Sequence, residues 1–255
     1  MDLQLTGKTV FVSGSGQGLG RAIGEAFAAE GAKVAFHYNS SAAGAQEAVA
    51  GIEAAGGQAV AVGADIRDDD AVRAAVATAQ SALGPIDILI NNSAVTGTGK
   101  FVDTTPEEWA RQADVTIMGT LRMTQTVVKE MIANGGGSIV SLMGDSGRVG
   151  ESGLLVTATT RSTTVGLTKS LAKELARHNI RANAVSIALV RTDNFDQHVG
   201  SKEDERMKKI LSMYPLRRLG TPADVTPTIL LLASPLSSWT TGQVLSVNGG
   251  YSMQS

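Results

Sequence analysis

The sequence predicts one α/β domain: a seven-stranded, mainly parallel sheet, doubly wound, with helices on both faces. Three observations carry that expectation. Short β-branched runs alternate with longer alanine-rich stretches, as repeated strand–helix–strand units require, and glycines punctuate the junctions. A chain of 255 residues that is 43% hydrophobic and 18% charged can fill one large core. No flexible linker divides it, so residues 1–255 read as a single domain.

Strands are expected at Thr9–Val12, Lys33–His37, Gln58–Gly63, Ile86–Ile90, Ser138–Leu142, Ile180–Val185 and Val244–Val247. Helices are expected between them at Gly20–Glu30, Ala42–Ala55, Asp68–Leu83, Pro106–Ala133, Val156–His178 and Pro222–Leu232. Two starts are marked locally: Thr105-Pro106-Glu107-Glu108 and Thr221-Pro222-Ala223-Asp224 each set a hydroxyl at N-cap, proline at N1 and a carboxylate at N3. The polar stretch 191–218 breaks the alternation and is expected to form a flap over the ligand crevice at the sheet's carboxyl edge.

Composition excludes several functions. A net charge of −2 without a basic run gives a nucleic-acid backbone nothing to bind. No apolar run nears the roughly 20 residues that cross a bilayer, and Met1–Gly7 lacks a leader's features, so a cytoplasmic, membrane-free protein is expected. There is no cysteine, and His37, His178 and His198 are scattered, so neither disulfide nor metal site is expected.

The first strand is followed at once by Ser13-Gly14-Ser15-Gly16-Gln17-Gly18-Leu19-Gly20, which opens into a helix. Glycines there permit a tight turn, let a pyrophosphate reach the backbone, and set it at the positive helix end. Gly14, Ser15, Gly18, Leu19 and Gly20 are therefore candidate residues of a Rossmann dinucleotide site, against the plainer reading of a glycine-rich turn.

The spacing of Gly14, Gly18 and Gly20 resembles that of the short-chain dehydrogenase/reductase family, with Ser13 where the family usually has threonine. The resemblance runs on through Asp65-Ile66, Asn91-Asn92-Ser93-Ala94, the stretch 166–175, Asn183-Ala184-Val185 and Val247-Asn248-Gly249-Gly250. It covers nearly the whole chain and is similar to the 3-oxoacyl-thioester reductase branch. It implies a nicotinamide dinucleotide held near Asp65 and Ile66 at adenine, Asn39 at ribose, and Asn91 and Thr192 towards nicotinamide. NAD-preferring relatives carry an acid after the second strand; here the stretch is His37-Tyr38-Asn39-Ser40-Ser41, so NADP is tolerated. The family's Pro-Gly after the sixth strand is Ile187-Ala188, and its Asn-Ala-Gly is Asn92-Ser93-Ala94, so weak, adenine-led binding of NAD(P) is expected.

The family reduces carbonyls with a Tyr-x-x-x-Lys pair, a serine after the fifth strand and an asparagine in the fourth helix. The lysine's charge lowers the phenol's pKa, letting tyrosine exchange a proton near neutral pH. The matching positions here are Thr157 for tyrosine, Arg161 for lysine, Gly144 for serine and Thr116 for asparagine. An aliphatic hydroxyl and a permanently charged guanidinium cannot exchange that proton. The wider-spaced pair of enoyl reductases does not fit either, because Leu154 stands where its tyrosine belongs. Halohydrin dehalogenases also place arginine at the lysine position, but the tyrosine and serine they use are missing here. Asp145, Arg148 and Glu151 follow the fifth strand as possible replacements, against the plainer reading of a charged, solvated loop.

Three functions stay open. The first is a non-catalytic subunit paired with an active homologous dehydrogenase acting on hydroxyacyl or oxoacyl substrates. The second is an enzyme of different chemistry in the same pocket, either reduction with another proton donor or a non-redox cyclisation or elimination. The third is a nucleotide-sensing regulator. The two long helices 106–133 and 156–178 match those through which the family pairs, so a homo- or heteromeric dimer or tetramer is expected.

Overall fold

In the computed structural model, residues 1–192, 195 and 205–253 are described. Seven parallel strands lie in the order β3-β2-β1-β4-β5-β6-β7. They are β1 (Thr9–Val12), β2 (Lys33–Tyr38), β3 (Ala59–Gly63), β4 (Ile88–Asn91), β5 (Gly137–Gly144), β6 (Ile180–Ile187) and β7 (Val244–Val247). The chain winds outward from β1 to β3, then resumes with β4 on the other side of β1. That reversal opens a crevice at the carboxyl ends of β1 and β4.

The helices are α1 (Gly18–Ala29), α2 (Ala42–Ala54), α3 (Asp69–Leu83), α4 (Pro106–Ala113), α5 (Thr120–Ala133), α6 (Ser146–Val149), α7 (Leu155–Leu175), α8 (Glu205–Ser212) and α9 (Pro222–Ala233). They cover both faces because successive strand residues point to opposite sides. Val10, Val12, Val34 and Phe36 pack under α1, α2 and α9 with Ile23, Phe27, Ala48 and Ile229. Phe11, Ala35, Leu89 and Ile139 pack on the other face with Val72, Val76, Met123, Val127 and Leu175. At Gly24 a Cβ would stand 2.4 Å from Phe36 Cε1, so only glycine lets α1 close on β2.

The expected sheet and helix order are present, with two corrections. The helix expected as one piece over Pro106–Ala133 is interrupted by a π-helical segment, Asp114–Gly119. There Thr116 carbonyl accepts from Thr120 Oγ1 at 2.8 Å, and a Cβ at Gly119 would fall 2.7 Å from Ile66. The expected loop after β5 holds α6, whose Gly147 lies so close to α7 that a Cβ would meet Ser162 N at 2.7 Å. The sheet expected as mainly parallel pairs in parallel at every one of its neighbouring strands. Both capping signals are real: the Glu108 carboxylate accepts from Thr105 N–H at 2.9 Å, and that of Asp224 from Thr221 N–H at 2.8 Å. Of the stretch 191–218 expected as a flap, residues 193, 194 and 196–204 lie outside those described.

Arg181 on β6 ties the far end of the sheet to α9. Its guanidinium donates to the carbonyls of Leu232 at 2.7 Å, Ala233 at 3.1 Å and Ser234 at 3.0 Å, which α9 leaves unpaired at its carboxyl end. Arg181→Met keeps the stem and removes the guanidinium, although the Leu232 carbonyl keeps Ser138 Oγ at 3.4 Å and that of Ser234 keeps Ser237 N–H at 3.1 Å; urea unfolding should show a loss of about 1–3 kcal/mol. A loss below about 0.5 kcal/mol would show that water replaces the guanidinium.

Candidate functional site

The glycine loop leaves β1 at Val12 and is braced from both neighbouring strands. From β4, Asn92 Nδ2 donates to the carbonyls of Ser13 at 3.0 Å and Gly14 at 2.9 Å. Ser13 Oγ returns the contact, accepting from the N–H groups of Asn92 and Ser93, each at 3.0 Å. From β2, His37 Nδ1 accepts from Gly14 N–H at 3.2 Å, and the His37 carbonyl accepts from Ser15 N–H at 2.7 Å. Ser15 Oγ turns inward, donating to the Val12 carbonyl at 2.8 Å.

Glycine is required at two of these positions for different reasons. Gly14 has φ +64°, in the left-handed region, and a Cβ there would press on Ser93 Oγ at 2.8 Å. At Gly20 a Cβ would collide with the Gly14 carbonyl at 2.4 Å and Asn92 Nδ2 at 2.5 Å, so its absence seats α1 against the loop. The N-cap residue Gln17 makes no side-chain cap, which leaves the first N–H groups of α1 open to a ligand. Thr192 closes the rim, with its methyl and hydroxyl both 3.8 Å from where a Gly18 Cβ would be. This cradle of backbone N–H groups at a helix start fits a pyrophosphate.

Other candidate residues spread along the crevice. Asn39 is exposed beyond β2, and Leu19 is half-buried in the first turn of α1. Asp65 is bound by Arg67 through Nη2 at 2.6 Å and Nε at 3.0 Å, and that guanidinium holds the carboxyl below its ordinary range. Ile66 is buried against Gly119. Asn91 is buried, its Nδ2 donating to Thr124 Oγ1 at 3.0 Å while its Oδ1 has no partner among the described residues. Sequence reasoning missed the bracing roles of Asn92 and His37. The Asn-Asn repeat pointed to the first, but nothing local to the sequence marks a histidine that accepts a bond from a loop 23 residues away.

Further along the crevice stand Thr116, Gly144, Thr157 and Arg161. Thr157 is 3% exposed. Its Oγ1 donates to Gln112 Oε1 at 2.7 Å and accepts from Gly97 N–H at 3.0 Å, so its one proton is already directed into the fold. A Cβ at Gly97 would fall 2.5 Å from Gln112 Nε2, which shows how tightly this knot is tied. Thr116 Oγ1 accepts from Val95 N–H at 3.3 Å, steadying the same loop. Gly144 is the last residue of β5, and the Arg161 stem covers it, with Cγ 3.7 Å from where a Cβ would be.

Asp145, Arg148 and Glu151 do not converge with Thr157. Asp145 is 2% exposed, and its carboxylate accepts from Ser186 Oγ at 2.6 Å, Asn248 Nδ2 at 2.5 Å and Ser252 Oγ at 2.7 Å. Arg148 donates to Ser246 Oγ at 2.6 Å. Glu151 is exposed beside Tyr251, whose phenol burial and that carboxylate both push up. These three groups face β6, β7 and the 248–252 segment, whereas Thr157 faces α4.

A family model described as enoyl-(acyl carrier protein) reductase matches residues 14–252. The chain is 33% identical over 246 residues to the 3-oxoacyl-(acyl-carrier-protein) reductase FabG of Staphylococcus aureus strain Mu50, covering 96% of this chain and 98% of the relative. It belongs to the short-chain dehydrogenase/reductase family. Sorbitol dehydrogenase of Cereibacter sphaeroides is also 33% identical, over 257 residues, with 97% and 98% covered. Among solved structures, 7α-hydroxysteroid dehydrogenase complexed with NADH and 7-oxo glycochenodeoxycholic acid superposes with a TM-score of 0.90 at 33% identity, covering 98% of this chain and 96% of that one. Family membership makes the braced glycine loop the expected NAD(P) end. Among the described residues, no group of histidines and carboxylates could hold a metal ion, and no helix is long and apolar enough to cross a membrane.

His37 links this loop to pH. Burial holds its imidazole down at about 4, although the Ala64 carbonyl and Asp65 act in the other direction. The unfolded chain therefore takes up a proton near 6.5 that the folded chain refuses until about 4, so stability should fall as pH drops through that window and level off below it. The expected loss is on the order of 3 kcal/mol. His37→Asn, which keeps an acceptor for Gly14 N–H, should abolish this part of the pH slope in denaturant titrations at pH 7, 5.5 and 4. An unchanged slope would place the titration elsewhere.

The Thr157 knot gives a second expectation. Thr157→Tyr overfills a position already closed by Gln112 and Gly97 and should cost about 1–3 kcal/mol. Thr157→Tyr with Gln112→Ala should recover at least half of that in thermal unfolding. Equal instability of both variants would show that the Gly97 backbone, not Gln112, is the obstacle.

Proposed function

We propose that this chain is a non-catalytic subunit of a mixed NAD(P)-dependent dehydrogenase acting on hydroxyacyl or oxoacyl substrates, completed by a homologous chain with the full tyrosine and lysine pair. One observation carries the reading. The hydroxyl at position 157 is buried and consumed by Gln112 and Gly97, so no proton donor meets a carbonyl where the family's tyrosine stands. Gly144 offers no hydroxyl to a substrate oxygen, and the Arg161 guanidinium, although desolvation pulls it down, holds its proton too firmly to act as an acid. The substrate class follows that of the 3-oxoacyl-(acyl-carrier-protein) reductase of Staphylococcus aureus.

The nucleotide half of the site keeps its function in this reading. Gly14, Gly18 and the start of α1 bind the pyrophosphate, and Asp65 and Ile66 border the adenine. Asn39, Ser40 and Ser41 leave room beside the ribose for a 2′-phosphate, with no acid to repel it. A bound reduced dinucleotide would supply hydride, but this chain moves no proton to match it. Assembly through the π segment, α5 and α7 is supported by Met118, Leu121 and Leu155, large apolar side chains left exposed there. The alternative, a different chemistry run by Asp145, Arg148 and Glu151 with Thr157, has less support because these groups face different elements. The same reading places the subunit in the cytoplasm with its partner.

The purified chain should show no NAD(P)H-dependent reduction of a 3-oxoacyl thioester. Calorimetry should find NADPH and ADP-ribose binding within roughly tenfold of one another, since the contacts lie at the adenine end. Co-expression with a tyrosine- and lysine-bearing homologue should give a stable mixed complex that reduces the thioester, with the activity lost when the homologue's tyrosine is replaced by phenylalanine. Robust reduction by this chain alone would overturn the proposal.

A further inference from the structure

Several arginines of this chain are held by carboxylates or carbonyls. Arg21, Arg67, Arg73, Arg122 and Arg218 each hold a carboxylate, and Arg181 holds three carbonyls. Arg161 is different. Its stem lies against Gly144 and Gly147 on the first turns of α7, half-buried, and among the described residues its side chain makes one polar contact, Nη2 to Thr96 Oγ1 at 3.4 Å. No carboxylate pairs with it among the described residues, and Asp145, one residue beyond Gly144, is fully engaged by Ser186, Asn248 and Ser252. Desolvation alone perturbs the guanidinium, with no negative charge opposing it. A cation removed from water without a counter-charge is costly, and the cost is offset when an anion fills the place.

We propose that the crevice at the carboxyl ends of β4 and β5 carries an anion subsite, formed by the Arg161 guanidinium and the Thr96 hydroxyl, whose ligand is a small monocarboxylate. The guanidinium fork matches the two oxygens of a planar carboxylate. The hydroxyl is placed to donate a further bond on the loop side. A single cation balances a single negative charge, whereas a phosphate dianion would leave charge uncompensated beside buried Asp145. Thr96 is exposed, so the subsite opens to solvent. This inference goes beyond the subunit reading and does not depend on it, because carboxylate binding requires neither hydride nor a partner chain.

Isothermal calorimetry and thermal unfolding of the whole chain test it, with sodium butyrate as probe, and sodium chloride and sodium phosphate at equal ionic strength as comparisons. Butyrate should raise the unfolding temperature and bind more tightly than either comparison ion. Arg161→Met keeps the stem over Gly144; it should weaken butyrate roughly tenfold or more while leaving stability without butyrate unchanged or higher. Arg161→Lys should keep part of the response, and Thr96→Val should weaken it while preserving the fold, which serves if the methionine variant does not fold. Equal effects of chloride or phosphate, no response in the parent chain, or an undiminished butyrate response in Arg161→Met or, where that variant does not fold, in Thr96→Val would each overturn the proposal. Carbonyl reduction measured on the same samples reports separately on the subunit reading.

Discussion

One amide group, that of Asn92, fixes the meeting point of β1, β4 and α1. Its two hydrogen bonds to the Ser13 and Gly14 carbonyls satisfy acceptors that a left-handed turn leaves without backbone partners. Everything nearby is fitted to that amide. Gly20 lacks a Cβ because the amide nitrogen occupies its place, Ser13 turns its hydroxyl to the Asn92 and Ser93 N–H groups, and Gly14 can spend its own N–H on His37. The loop is therefore set by side chains from β4 and β2 before any ligand arrives, which lowers the ordering cost of binding a pyrophosphate.

The opposite end of the crevice is organised by a different bond set. Thr157 Oγ1 is held between Gln112 Oε1 and the Gly97 N–H, and the π segment brings Thr116 to the same loop through Val95. In the proposed reading this bears on function, because the one proton of the Thr157 hydroxyl is already directed at a buried acceptor. The two ends thus differ in kind, one leaving backbone N–H groups unfilled at a helix start, the other leaving only a guanidinium.

Much of the fold was legible from the chain because it depends on local patterns. The alternation of Val10, Phe11 and Val12 between the two core faces is a period of two written directly in sequence, and the Thr105 and Thr221 capping boxes lie within four residues. The π segment was not legible, since it arises where Gly119 must pass Ile66, a contact between residues 53 positions apart. The glycine loop was visible as spacing, but its bracing by His37 and Asn92 depends on strand order. Asp145 illustrates the limit most sharply. In sequence it reads as a charged loop residue beside Arg148 and Glu151, while in space it is buried under Ser186, Asn248 and Ser252, two of which lie more than 100 residues away.

Gly144 and Arg161 show why the four altered positions behave as a unit. The arginine stem lies over the place where a side chain at 144 would project, and its nearest carbon would still be 3.7 Å from an added Cβ, ordinary contact rather than collision. A serine could therefore return to 144 without displacing the arginine. A tyrosine cannot return to 157 so simply, because Gln112 and the Gly97 backbone already close that space with three hydrogen-bonding atoms. In the proposed non-catalytic reading, the barrier to proton transfer lies at α4 and the loop after β4, outside the four positions themselves. Gln112, which no catalytic pattern names, is the residue that accepts the Thr157 hydroxyl's hydrogen bond, at 2.7 Å.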